Sequence, residues 1–164
     1  MKNFNQFRES LTESLDQPFV ISHRDIDLEH NGTAEVIFAT DRFSSSSVKV
    51  ELYQDEGQFD FALEFTVDGR TKPSDWADYV EPQRVFASVL HAFEIIVKSH
   101  EGKFIRTISF YTQTGSQAKL LEAIIKRKGR RLGFKDMKKK KVGTETVYTL
   151  TNTKFDVPWY DPTL

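Results

Sequence analysis

The stretch 59–67 constrains the fold more than any other part of the chain. Phe59, Phe61, Leu63, Phe65 and Val67 alternate with Asp60, Ala62, Glu64 and Thr66. Period-two alternation sends the rings to one face of a strand and the polar groups to the other, which calls for an antiparallel sheet with one buried face. Three further strands precede it. Residues 19–23 form a short one, 33–39 follow the turn dipeptide Asn31-Gly32, and 48–53 alternate Val48, Val50 and Leu52 against Lys49, Glu51 and Tyr53. Asp55-Glu56-Gly57 and Asp68-Gly69 are turns, and 44–47 is a polar loop of serines.

The period changes at Pro82, a favoured first helical residue. Val85, Phe86, Val89, Leu90, Phe93, Ile96 and Val97 make a broad apolar helical stripe, with Gly102 as its C-terminal cap. Residues 104–111 read as a mostly buried strand. Ser116 caps a second helix that turns Leu120, Leu121, Ile124 and Ile125 inward, and Gly129 weakens that helix near its basic end. A final strand, 145–151, follows a lysine run. Ahead of all this, Phe4, Phe7, Leu11 and Leu15 recur at spacings of three and four, an amphipathic leader helix that Gln17-Pro18 terminates. The division expected is a leader (1–17), one α/β domain of the α+β kind (18–152) with a mixed sheet and packed helices, and an irregular tail (153–164).

Composition removes whole classes of function. Without cysteine there is no disulfide, thiolate zinc site or cysteine nucleophile. No apolar run approaches the roughly 18 residues that cross a bilayer, and the first fifteen residues lack the apolar segment of a secretory signal. His23, His30, His91 and His100 are scattered without ligand spacing, and His91 fits a core position. The carboxylate pairs Asp25/Asp27 and Asp75/Asp78 suit turns and helix starts better than acid–base work. The serine loop carries no Gly-x-Ser-x-Gly. The sequence thus leads to no catalytic residue, no metal, no cofactor and no membrane contact.

The formal charge of −1 conceals two poles. Lys126, Arg127, Lys128, Arg130, Arg131, Lys135, Lys138, Lys139, Lys140 and Lys141 face only Asp136, leaving the remainder of the chain ten charges negative. These cations suit nucleic-acid phosphates or another anion, or a solvated helix end and lysine-rich hairpin. No aromatic side chains interleave them as a stacking platform, which favours backbone over base contact. At the far end, Phe155, Trp159 and Tyr160 stand beside prolines. They suit a partner's groove or a fold-back onto the chain's own apolar surface.

The order meander, helix, strand, helix, strand resembles the core of the GNAT acyltransferases. The stretch Ser116-Gln117-Ala118-Lys119-Leu120-Leu121 through Arg131-Leu132-Gly133-Phe134 is similar to their second cofactor motif, which runs Asn-x-x-Ala-x-x-Leu-Tyr and closes on Leu-Gly-Phe. That resemblance implies acyl-CoA-dependent N-acyl transfer. Two departures run against it. The loop in which the family grips the cofactor pyrophosphate is here Val80-Glu81-Pro82-Gln83-Arg84-Val85-Phe86, without glycine, and the family's general-acid tyrosine falls at Leu121. They imply a GNAT-like scaffold without its chemistry.

A second resemblance rests on Arg84-Val85-Phe86-Ala87-Ser88-Val89, Ile108-Ser109-Phe110, Ala118-Lys119-Leu120 and Ile125-Lys126-Arg127. These look like a domain in small proteins of T4-like and cyanophage-like viruses, similar in outline to the N-terminal region of injected ADP-ribosyltransferases. Met1-Lys2-Asn3-Phe4-Asn5-Gln6-Phe7 resembles the start of internal head proteins. Leu11-Thr12-Glu13 before Ser14 fits the prohead-protease site that ends their leader, although a permanent first helix accounts for the same residues. Together these imply a non-enzymatic phage accessory protein, virion-associated in the capsid interior or acting in the host cytoplasm after injection. It would bind a phage or host protein. The alternatives are a divergent acyl-CoA-dependent N-acyltransferase and a nucleic-acid-binding regulator using residues 126–141.

Overall fold

A computed structural model describes residues 17–40, 46–77, 79–113 and 116–157. Seven strands form a mixed sheet in the order β1-β2-β3-β4-β5-β7-β6. The strands are β1 (Val20–Asp27), β2 (Thr33–Ala39), β3 (Ser47–Gln54), β4 (Asp60–Val67), β5 (Thr107–Gln113), β6 (Phe134–Val142) and β7 (Glu145–Asn152). Helix α1 (Pro82–Lys98) joins β4 to β5, and α2 (Ser116–Arg131) joins β5 to β6. Short 3-10 turns lie at Pro73–Asp75 and His100–Phe104. By its internal contacts the chain divides into two compact units.

The first unit comprises Met1–Asp25, Glu35–Val50 and Phe65–Phe93. Alternation in β2 and β3 buries Val36, Phe38, Val48 and Val50. The stripe on α1 buries Val85, Phe86, Val89, Leu90 and Phe93. The Phe65 ring meets Phe86 edge-on at 6.1 Å and Trp76 at 6.4 Å. Trp76 keeps its one polar group satisfied by donating Nε1–H to the Arg70 carbonyl at 3.0 Å. Ser88 is fully buried. Its Oγ accepts from the Phe19 backbone N–H at 2.9 Å and donates to the Arg84 carbonyl at 2.8 Å. The half-buried His91 ring lies 6.3 Å from that of Phe38. Asp68 holds the Ser46–Ser47 corner, accepting from the Ser46 hydroxyl and the Ser47 N–H.

The second unit comprises Ile26–Ala34, Glu51–Glu64 and Glu94–Leu164. Here β5 pairs antiparallel with β7, β7 antiparallel with β6, and β4 parallel with β5. Ile108, Phe134 and Leu150 are buried, and Phe110 stacks on Tyr148 at 5.0 Å. A Cβ on Gly129 would lie 3.4 Å from Phe134 Cβ and 3.5 Å from Leu150 Cδ1, ordinary contact distances, so the packing there does not itself require glycine. The α2 helix ends through Gly133 at φ +96°, a conformation costly to any residue with a Cβ.

Several elements differ from what the periodicity implies. Helix α1 stops at Lys98, and Gly102 is buried in the following 3-10 turn, where the Val97 carbonyl leaves no space for a Cβ. Phe104 and Ile105 are core residues of that region, and β5 begins at Thr107. Strand β1 extends to Asp27. The lysine run is itself strand β6, interrupted by an irregularity between Lys135 and Lys138 where Asp136 takes φ +54°. No apolar period announces β6, because as an edge strand it buries only Phe134.

Candidate functional site

The site grows from the end of the β4–β5 pairing. The parallel register runs from Asp60↔Thr107 to Leu63↔Phe110, after which β5 continues to Gln113 with β7 on its other side. From Tyr111 to Gln113 the opposite edge of β5 therefore has no strand registered against it among the described residues. Backbone N–H and C=O groups on such an edge need a partner, and an extended ligand with amide groups can supply one.

The start of the pair is fixed by charge. Arg106 donates to Asp60 through Nε at 3.0 Å and through its terminal nitrogen, and the Thr107 hydroxyl donates at 2.7 Å. Burial on its own would raise the Asp60 carboxyl, but these hydrogen bonds and the guanidinium charge outweigh it and hold the pKa below the usual value.

Alternation then places Asp60, Ala62 and Glu64 on one face of β4, with Thr107, Ser109 and Tyr111 on the same face of β5. Glu64 and Tyr111 are the first residues beyond the paired stretch. Glu64 is exposed and makes no ion pair or hydrogen bond among the described residues. The Tyr111 hydroxyl donates to Asp55 Oδ2 at 2.9 Å, and that hydrogen bond, then burial, then the charge of Asp55 push its pKa to about 12. Tyr53 is raised by burial, then by the charges of Glu64, Asp55 and Glu51. The end of the pairing thus carries two protonated phenols and several carboxylates. Such a surface suits an ammonium group.

The residues singled out in the sequence distribute differently. Leu11, Glu13 and Ser14 lie outside the described residues, as do Trp159 and Tyr160, and so does the side chain at Leu121. Phe155 is half-buried, its ring 5.3 Å from that of Phe59, and Val157 beside it is buried. Of the ten cations, Lys128 pairs with Glu94 and Lys139 with Glu122. The Lys139 pKa is raised, first by that hydrogen bond. Lys126, Arg127, Arg130, Arg131, Lys135, Lys138, Lys140 and Lys141 are exposed, without a carboxylate partner among the described residues. Among the described residues no group of three His, Asp or Glu side chains is placed to hold a metal ion, and no helix is long and apolar enough to cross a membrane. Asp27 instead serves the turn after β1, accepting from Asn31 and His30.

No protein-family model and no curated protein matches the sequence. Among solved structures the chain is similar to the spermidine N-acetyltransferase SpeG of Vibrio cholerae, in a chimera with hSSAT and in a single-site mutant. Each has a TM-score of 0.40 at 8% identity, over 94% of this chain and 79% and 77% of theirs respectively. The fold is α/β, a mixed sheet with packed helices, as the element order implied. The expectation of a non-enzymatic phage protein carried in the virion is corrected here. Both similar structures are of N-acetyltransferases and neither is of a phage protein. The non-enzymatic reading rested on the amphipathic leader, the Leu11-Thr12-Glu13 site, the charge polarity, a missing glycine near Pro82 and a missing tyrosine at Leu121. The sheet order β3-β4-β5 brings Glu64, Tyr111, Tyr53 and Asp55 to one region.

Proposed function

We propose that this chain is an acyl-thioester-dependent N-acyltransferase of the acyl-CoA-using kind, acting on a cationic amine. One observation carries the reading: an exposed, unpartnered Glu64 and the Tyr111–Asp55 pair stand where the β4–β5 register ends.

The β5 edge suits the two amides of a pantetheine arm, which would add to it as a short strand through backbone hydrogen bonds. The start of α1 does not suit the diphosphate of coenzyme A. It opens Glu81-Pro82 without glycine. Arg84 in its first turn is engaged by the carbonyls of Gln17 at 3.2 Å and Pro18 at 3.5 Å and by the Phe19 ring at 4.3 Å. When bound, the thioester supplies an activated acyl carbon and a thiol leaving group. Asp55, Tyr53 and Tyr111 would orient the incoming ammonium. Glu64 would remove its proton, because only the neutral amine is nucleophilic.

The test follows thiol release from acetyl-CoA in the presence of a panel of amines, spermidine among them, alongside calorimetry with acetyl-CoA alone. The reading expects thioester binding and amine-dependent release. Glu64→Gln should lower the rate about a hundredfold while binding persists. Absence of both binding and turnover would overturn it.

A further inference from the structure

The sheet face that carries Glu64 and Tyr111 does not end at β5. Its register continues across the second unit in rows. Tyr111 stands opposite Val147 of β7, and Val147 opposite Lys140 of β6. One row back, Ser109 stands opposite Thr149, and Thr149 opposite Lys138. Lys139, between the two lysines, turns to the other face, where it pairs with Glu122 of α2. Alternation therefore leaves Lys138 and Lys140 on the face shared with Tyr111. Both are exposed and have no carboxylate partner among the described residues; Glu145, on the same face one row further on, pairs with neither. Between the carboxylates and these lysines the rows are uncharged. The Ser109 and Thr149 hydroxyls lie 2.9 Å apart and satisfy each other, and Val147 is apolar. The face thus has an anionic side at Glu64 and Asp55, a cationic side at Lys138 and Lys140, and a neutral floor. Lysines on an edge strand discourage strand addition. That accounts for their presence on β6 but not for a face sorted by sign.

We propose that this face binds a zwitterionic ligand: an amine carrying an anionic group ~10 Å from its nitrogen, the two strand spacings between β5 and β6. The ammonium sits with Glu64 and the Tyr111–Asp55 pair, and the anion with Lys140 and Lys138. The lysines offer mobile point charges rather than a planar fork, so the anion is recognised by charge alone. The floor makes no polar demand, so the segment between the two charges is an extended, uncharged spacer. A second ammonium at that distance would instead meet the two lysines, which sets the site against long polyamines. That the amine is the acyl acceptor rests on the acyltransferase reading; the charge preference in binding does not.

Three linear ligands of equal length test it: 8-aminooctanoate, octylamine and 1,8-diaminooctane. Calorimetry with the full chain at low salt measures binding without a thioester, and thiol release from acetyl-CoA measures turnover. Exposed ion pairs are weak, so the expected preference for 8-aminooctanoate over octylamine is about three- to tenfold, and over the diamine at least as large. Lys138→Gln/Lys140→Gln should abolish the preference, and Lys138→Glu/Lys140→Glu should transfer it to the diamine. Lys141→Gln, on the same strand but the opposite face, should keep it. Added salt should shrink it. The proposal is overturned by equal binding of the three ligands to wild type, by a preference that survives Lys138→Gln/Lys140→Gln, or by an equal loss in Lys141→Gln. A binding preference without turnover of any amine would support the charge assignment and overturn the acyltransferase reading alone. All substituted side chains are exposed, and circular dichroism should show the variants folded.

Discussion

Glu94→Gln offers the sharpest test of the electrostatics. Glu94 lies on α1 between Lys98, one turn on, and Lys128 of α2, each Nζ 2.6 Å from a carboxylate oxygen. The hydrogen bond from Lys128, then that from Lys98, depress its pKa from 4.5 to about 2, against a smaller opposing effect of burial. At about 1.4 kcal/mol per pKa unit, the upper limit on its contribution is about 3 kcal/mol. The Lys98 side chain is 65% exposed, however, and an exposed pair four residues apart on a helix contributes only about 0.3–0.5 kcal/mol. The Lys128 pair, at 30% and 26% exposure, is less screened and supplies most of the remainder. The net loss expected at neutral pH is about 1–2 kcal/mol, or about 2–8 °C in Tm for a chain of this size.

The sign of the pH dependence is fixed by the same shift. A carboxyl depressed in the folded state contributes fully above its unfolded pKa of 4.5, and the contribution disappears as pH falls towards about 2. Urea unfolding followed by circular dichroism should therefore show wild type and Glu94→Gln separated at neutral pH and converging in acid. A gap that stays constant between about pH 5 and pH 3 would refute the reasoning and assign the loss to packing.

Three further outcomes follow from buried or strained positions. Ser88→Ala leaves the buried Phe19 N–H without an acceptor, and after a small gain in helix propensity it should cost about 1–2 kcal/mol in urea unfolding. Gly133→Ala forces a Cβ into φ +96° and should cost about 1 kcal/mol or more in the same assay, whereas Gly143→Asn, at an exposed φ of +64°, should cost less. Tyr111→Phe removes the phenol that titrates near 12. Phenolate absorbance should lose its highest-pH step, and the stability that this group adds below its ordinary 10.0, lost as pH rises through about 12, should vanish with it.

The sequence by itself determined the elements that bury one face against a neighbour. Alternation located β2, β3 and β4, since a half-buried strand must repeat every second residue, and the apolar stripe located α1. The ten cations were legible in the same way, because charge needs no fold to be counted. Only the tertiary structure decided the rest. Strand β6 carries five lysines and one buried phenylalanine, so no period betrays it, and its strand state comes from hydrogen bonds with β7. Gly129 reads locally as a helix breaker, yet α2 runs on through it to Arg131. Glu64 and Tyr111 lie 47 positions apart in sequence, each ordinary on its strand. They become a candidate site because β4 and β5 pair parallel for four residues and then pair no further, a fact of register that no local pattern encodes.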